Sequence, residues 1–231
     1  MKRHATVAAM LLAALLTACH KKEKTEEATP AATTTAPAPA APAAATAAAT
    51  PPAELTPEQR EQARKKEQLE YGVMEDKYIN DPRAQWATQA RASSVFRGAD
   101  KRKPGDPNTP ERATGPADDN SWTNDNIDRG FDWLELDYAT PVNATDVRVV
   151  IGSGQGVEAI NKVELQDTDG KWSTVWEGVN DVKRDGRGNR TWFVRSFDKT
   201  ANKIKSVKLT YANNLQHDYK VVDAVQLVGD K

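Results

Sequence analysis

The side chains best suited to binding lie around Trp122. An indole flanked by Asn120, Ser121 and Asn124, with Arg129 close behind, suits a sugar: the ring covers an apolar C–H face while amides bond hydroxyls. Large aromatics more often supply core area, and that reading of Trp122 carries the greater weight. Asp118 and Asp119, with backbone carbonyls nearby, are the ligand types of a structural calcium ion, which wants six to eight oxygens. A solvated acidic loop has the same composition. The stretch 180–190 gathers Lys183, Arg184, Arg187 and Arg190, with glycines at 186 and 188 for tight turning, and Arg187 is its candidate contact to an anionic partner. Asp181 and Asp185 dilute its charge, as in an ordinary hairpin loop. His217 sits among Asn213, Asn214, Gln216 and Asp218, where it can bond a ligand hydroxyl or simply face water. Gly152-Ser153-Gly154-Gln155-Gly156 lacks the GxGxxG spacing, and strand-like rather than helical sequence follows, so a phosphate loop is rejected.

Composition removes several chemistries. The 231 residues carry 32 Lys+Arg against 33 Asp+Glu, so there is no basic excess to neutralise phosphates and nucleic acid is not an expected partner. A single cysteine forbids an intrachain disulfide and a cysteine-based metal cluster. Three histidines, of which His4 and His20 precede the region with folding signals, leave little material for a nucleophile–histidine relay. Carboxylates are plentiful, but no spacing singles out the pair that glycoside hydrolysis needs. The expected role is non-catalytic, with no cofactor beyond the calcium considered above.

The first residues read as a targeting segment. Lys2 and Arg3 precede an apolar run from Ala5 to Ala18, shorter than the roughly 20 residues that span a bilayer. Leu16-Thr17-Ala18-Cys19 resembles the lipobox of bacterial lipoproteins. That resemblance implies a signal peptide over 1–18, cleavage before Cys19, and a lipid bilayer as partner through acylated Cys19. The residue after the cysteine is His20 rather than aspartate, which by the same resemblance points to the outer membrane of a Gram-negative envelope. Residues 19–54 read as a low-complexity tether: positions 28–53 are only Ala, Thr and Pro, and the prolines prevent a continuous helix. In extended form this stretch would reach roughly 80 Å.

Two further regions follow. Residues 55–82 predict a polar helix. Thr56 caps it, Pro57 opens it, Glu61 and Lys65 pair along it, and Asp81-Pro82 stops it. Its apolar residues, Leu69, Val73, Met74, Tyr78 and Ile79, come late, which predicts a solvated stalk with its last two turns docked. From 83 to 231 the pattern is short alternating strands between Gly, Asn and Asp clusters. Leu134, Leu136 and Tyr138 share one face, and Val147, Val149 and Ile151 form the next strand. Asp167-Thr168-Asp169-Gly170 marks a hairpin, and Val207, Leu209 and Tyr211 and then 221–228 continue the series. The expected fold class is all-β: an antiparallel β-sandwich of about eight strands.

The order and spacing of several pieces resemble the galactose-binding-like jelly rolls of the discoidin, or coagulation-factor C-type, group. These pieces are Ala92-Ser93-Ser94; Ala113-Thr114-Gly115 leading to Trp122; Trp133-Leu134-Glu135-Leu136-Asp137 with Pro141-Val142; and the close Val222-Asp223-Ala224-Val225-Gln226-Leu227. The resemblance implies a jelly-roll sandwich used mainly for binding sugars, lipids or proteins. It implies a glycan or an envelope protein as partner, and a tryptophan at 122 that plugs the open end of the sandwich. Relatives often hold calcium in the loop before that tryptophan. Here one acidic position of the pattern is missing.

Overall fold

The computed structural model describes residues 54–98 and 101–231. Cys19, the signal-like segment and the tether expected over 19–54 lie outside the described residues, apart from Glu54.

Helix α1 (Pro57–Ile79) starts where its cap dictates. The Thr56 hydroxyl accepts from the Gln59 N–H, and the Gln59 side chain accepts from the Thr56 N–H, so both chains satisfy donors the first turn leaves free. Lys65 and Glu61 lie 2.7 Å apart. Everything from Glu54 to Glu70 is exposed, and the first buried residue is Tyr71.

The strands are β1 (Ala84–Trp86), β2 (Gln89–Ala92), β3 (Trp122–Thr123), β4 (Phe131–Gly152), β5 (Ile160–Asp167), β6 (Trp172–Glu177), β7 (Arg190–Ser196), β8 (Ile204–Ala212), β9 (Val221–Val222) and β10 (Ala224–Asp230). They build an antiparallel jelly-roll β-sandwich. One sheet runs β2–β4–β8–β5–β6, and the other runs β1–β10–β4–β7. The sequence suggests two strands on either side of Pro141. The structure has a single strand, β4, whose first half pairs in one sheet and whose second half pairs in the other, with its register shifting between Asp137 and Val142. Proline is tolerated at that crossing because the ladder is already interrupted there. The run expected over 221–228 is divided: β9 leaves to form a small ribbon with β3 at one end of the sandwich, and β10 joins the second sheet.

Leu134, Leu136, Val142, Val147, Val149 and Ile151 of β4 meet Val163 and Leu165 of β5 and Val207 and Leu209 of β8 in the core, all fully buried. A second apolar cluster lies on the outer face of the four-stranded sheet. There Val150, Trp192 and Ala224 are covered by Tyr71, with Met74 and Tyr78 of α1 packed alongside. Val147 to Ile151 are therefore all buried, since the helix covers one face and the core the other. The docking is polar at its rim. Arg148 bonds Asp81 at 2.8 Å under the Tyr78 ring, and the Gln226 amide donates to the Tyr78 carbonyl. Of the last two turns expected to dock, Val73 and Ile79 are instead 64% and 43% exposed, and Tyr71 is the anchor.

Candidate functional site: a polar cleft at the loop end

The long segment between β2 and β4 is held rather than loose. A short 3₁₀ turn, Pro110–Ala113, and strand β3 punctuate it, and Thr123 fixes Asn108 from both sides: its N–H donates to the Asn108 carbonyl at 3.1 Å and its hydroxyl to the Asn108 side chain at 2.9 Å. Asp118 and Asp119 are tied by their backbone N–H groups to the two oxygens of Asp223, at 3.0 and 3.2 Å. Asp223 is 1% exposed, and burial pushes its carboxyl above the usual range.

Together with the turn after β4 and the start of β7, this segment encloses a cleft of about 480 Å³. The segment contributes Asn108, Arg112, Asp119, Asn120 and Ser121 to its lining, and Ser153, Gln155, Asn189 and Val221 come from elsewhere in the chain. Among the described residues, four non-glycine positions have a left-handed backbone: Arg97, Asn108, Asp119 and Ser153. The last three all line this cleft. Such conformations cost free energy and gather where a surface is shaped for a task.

Apart from Pro107 and Val221, the lining is made of amides, hydroxyls, backbone groups and two charges. Asp119 accepts from Arg190 at 3.0 Å. Arg112 donates to the carbonyls of Asp106 and Gly105, and no ion pair neutralises it among the described residues. Hydrogen bonds from Asn120 hold the Asp118 carboxyl below its ordinary range. One carboxylate and no aromatic ring line the cleft among the described residues. The arrangement can bind hydroxyl-rich or anionic groups by hydrogen bonding. It does not offer the paired carboxylates of glycoside hydrolysis.

The residues expected from sequence fall into three places. Asp118, Asp119 and Asn120 come together at or beside the cleft. Trp122 does not serve as an exposed platform: it is fully buried, its indole N–H donates to the Ser94 carbonyl at 3.0 Å, and its ring packs on Tyr211 at 5.7 Å. Asn124 is likewise fully buried, donating to Asp132 at 2.8 Å and accepting from the Lys220 N–H at 2.8 Å, so its amide has no capacity left for a ligand. Arg187 clasps Asp185 and lies 5.9 Å over the Tyr71 ring, at the helix rather than in the cleft. Arg129 is exposed beside Asp128, and His217 is exposed in the turn after β8; neither lines the cleft. Of the two candidate calcium ligands, Asp118 accepts from the Asn120 amide and Asp119 from Arg190. Among the described residues no three His, Cys, Asp or Glu side chains are grouped to hold a metal ion.

Asn108, Arg112, Ser153, Gln155 and Asn189 were not singled out as ligands in the sequence. The available signal was conformational: Asn tolerates the left-handed region, and Ser153 stands between glycines 152 and 154. The segment rejected as a phosphate loop is thus one wall of the cleft.

No family model matches the chain. No curated protein matches it. Among solved structures it is similar to an F5/8 type C domain of a Bacteroides fragilis protein (12% identity, covering 65% of this chain and 99% of that one, TM-score 0.48). It is also similar to the family 32 CBM of NanJ from C. perfringens in complex with galactose (13%, 62% and 98%, TM-score 0.44), and to chitosan-binding module 1 of a Paenibacillus chitosanase/glucanase (14%, 62% and 96%, TM-score 0.44).

Proposed function

We propose that the protein is a lipid-tethered, non-catalytic recognition module of a bacterial envelope that holds a glycan in the cleft at the loop end of its sandwich. The observation that carries this is the convergence of Asn108, Asp119 and Ser153, all with left-handed backbone, on one cleft lined by amides, hydroxyls and Arg112. Recognition is reversible: hydroxyls of the ligand exchange water for protein donors and acceptors, and no bond is made or broken. The tether reading rests on Leu16-Thr17-Ala18-Cys19 and the Ala/Thr/Pro stretch after it.

The test uses the full chain with Cys19→Ser to keep it free of lipid, on an array of envelope glycans followed by titration of the best ligand. Arg112→Ala and Asn120→Ala should each weaken binding by about tenfold or more, the worth of one good hydrogen bond to a charged or rigid group. No glycan bound, or binding that ignores both variants, overturns the reading. The tether is tested separately. Mass spectrometry of envelope-extracted protein should find diacylglycerol on Cys19, and an unmodified thiol refutes it. A second reading, docking to an envelope protein through α1, is favoured by the exposure of Leu69 and Val73. Capture of one envelope protein that Leu69→Ser abolishes and Arg112→Ala leaves intact would establish it.

A further inference from the structure

Lys220 is fully buried, an unusual place for a lysine. Its ammonium lies 2.6 Å from the carbonyl oxygen of Asp218, 2.8 Å from those of Ile127 and Gln216, and 3.2 Å from that of Asn213. An ammonium has three hydrogens. Four carbonyls around three hydrogens exceed what directional hydrogen bonding uses and form instead a coordination shell for a positive charge. Burial pushes the Lys220 ammonium down to a pKa of about 8, still charged at neutral pH, and the carboxylates of Asp132, Asp218 and Asp128 oppose that shift by favouring the positive charge.

The shell is built, not accidental. One carbonyl comes from the loop between β3 and β4, and three come from the loop between β8 and β9. The lysine backbone is clamped as well. Its N–H donates to Asn124, and Gly156 packs so closely that a Cβ there would lie 2.6 Å from the Lys220 Cα. The oxygen distances, 2.6 to 3.2 Å, are longer than the 2.3–2.6 Å of calcium sites. The nearest oxygens are neutral carbonyls, as where backbone replaces the hydration shell of potassium.

We propose that these carbonyls form a site for a large monovalent cation, that the tethered ammonium of Lys220 is its resident, and that a free ammonium or potassium ion enters when the side chain is removed. The consequence is a pair of loops, carrying Arg129 and His217, locked to each other without dependence on ambient ions. This site is independent of the glycan reading, and the two can fail separately.

The test is chemical rescue on the full chain. Lys220→Ala is melted at neutral pH in ammonium, potassium or tetramethylammonium chloride at matched ionic strength, the last ion being too large for the shell. In tetramethylammonium the variant should melt about 10 °C below the wild type, the scale expected when a buried polar shell loses its partner in a domain of this size. Ammonium or potassium should restore half or more of that loss, while the wild type melts alike in all three salts. Lys220→Met, whose stem still fills the entry, should be destabilised similarly and not rescued. Equal melting of Lys220→Ala in the three salts overturns the proposal. So does its failure to fold in any of them, an equal rescue of Lys220→Met, or a Lys220→Met variant as stable as the wild type.

Discussion

Gly188→Ala tests whether Tyr71 is the chief anchor of α1. A methyl group at Gly188 would lie 2.2 Å from Cε1, 2.4 Å from Cζ and 2.6 Å from Cδ1 of Tyr71, whereas carbon atoms settle at about 3.5–4.0 Å. The clash is with a buried, hydrogen-bonded ring. Tyr71 is 5% exposed, its hydroxyl lies 2.8 Å from the Arg190 carbonyl and 3.2 Å from Glu75, and it covers Val150, Trp192 and Ala224. Gly188 does not need a left-handed backbone, so alanine is tolerated by the main chain and by itself contributes about 0.4–1 kcal/mol through the unfolded state. Against that stand the burial of the Tyr71 side chain, about 1.5–3 kcal/mol, and its hydrogen bond to the Arg190 carbonyl, about 1 kcal/mol. The net expectation is a loss of about 2–3 kcal/mol, or about 4–12 °C in Tm. Neighbouring contacts at Tyr78 and Asp81 keep the last turn in place.

Urea denaturation followed by tryptophan fluorescence reads the stability, and amide exchange over 67–75 locates the change. Tyr71→Ala should cost a similar amount. The double variant should cost little more than Tyr71→Ala alone, because the small side chain leaves room for the methyl group. The cycle should therefore show a coupling of about 2 kcal/mol. A Gly188→Ala protein within about 0.5 kcal/mol of wild type, or a double variant whose losses simply add, would refute the docking argument.

The remaining expectations concern the core and the polar network beneath the loops. Trp122→Ala should cost about 3–5 kcal/mol in chemical denaturation, since the indole is sunk among core residues; unchanged stability would mean the ring is not where the structure places it. Asp132 is 2% exposed. Burial pushes its carboxyl up, but hydrogen bonds from Asn124, Ser93, Ser94 and Asn213 outweigh that and hold it below the ordinary range. Its contribution is therefore complete above the unfolded-state value of about 3.9 and is lost as pH falls through the lower folded value. Asp132→Asn should lower stability at neutral pH and flatten the acid limb below about pH 4, and an unchanged acid limb counts against the network. Gly156→Ala meets both a left-handed backbone, φ +87°, and the Lys220 Cα at 2.6 Å. It should destabilise by more than about 2 kcal/mol in the same measurement, and a neutral effect would place the Lys220 turn elsewhere.

What was legible in the sequence was local. The helix start at Thr56-Pro57 and the turn at Asp167–Gly170 are set by residues within four positions of one another. In that turn the Asp167 carboxylate accepts from the N–H groups of Asp169 and Lys171, and Gly170 takes φ +86°. The alternation of Leu134, Leu136 and Tyr138 gave the inward face of β4 for the same reason. The continuity of β4 was hidden because Ala139-Thr140-Pro141 has the composition of a turn, while the decision to bend between sheets rather than reverse belongs to the partners on either side. Val150 lies within a run that reads as a strand, but its burial on an outer face, like that of Trp192, depends on a helix more than seventy residues earlier. Lys220 was invisible because a lysine is ordinarily solvated, and only the meeting of two loops supplies its carbonyls. The cleft was half legible. The cluster Asp118–Asn120 stands out in a polar loop, whereas Asn108, Ser153 and Asn189 acquire meaning only when three separate turns are brought to one end.

Arg190 shows how closely the helix and the cleft are joined. Its guanidinium lies 3.6 Å from Glu75 of α1, 3.0 Å from Asp119 at the cleft wall and 3.7 Å from buried Asp223. Three carboxylates thus share one cation, and the Nε atom, buried toward Asp223, makes no hydrogen bond. Asp223 in turn holds the N–H groups of Asp118 and Asp119; burial pushes its carboxyl up, and those two N–H groups and then Arg190 oppose that, so the cleft wall and the cation share one buried carboxylate. A lysine at this position would keep the charge but present a single point rather than a fork, and it would leave at least one of the three acids without a partner. The guanidinium is therefore matched to its place by geometry as much as by charge, and the docked turn of α1 is part of the scaffold that fixes the cleft rather than an appendage to it.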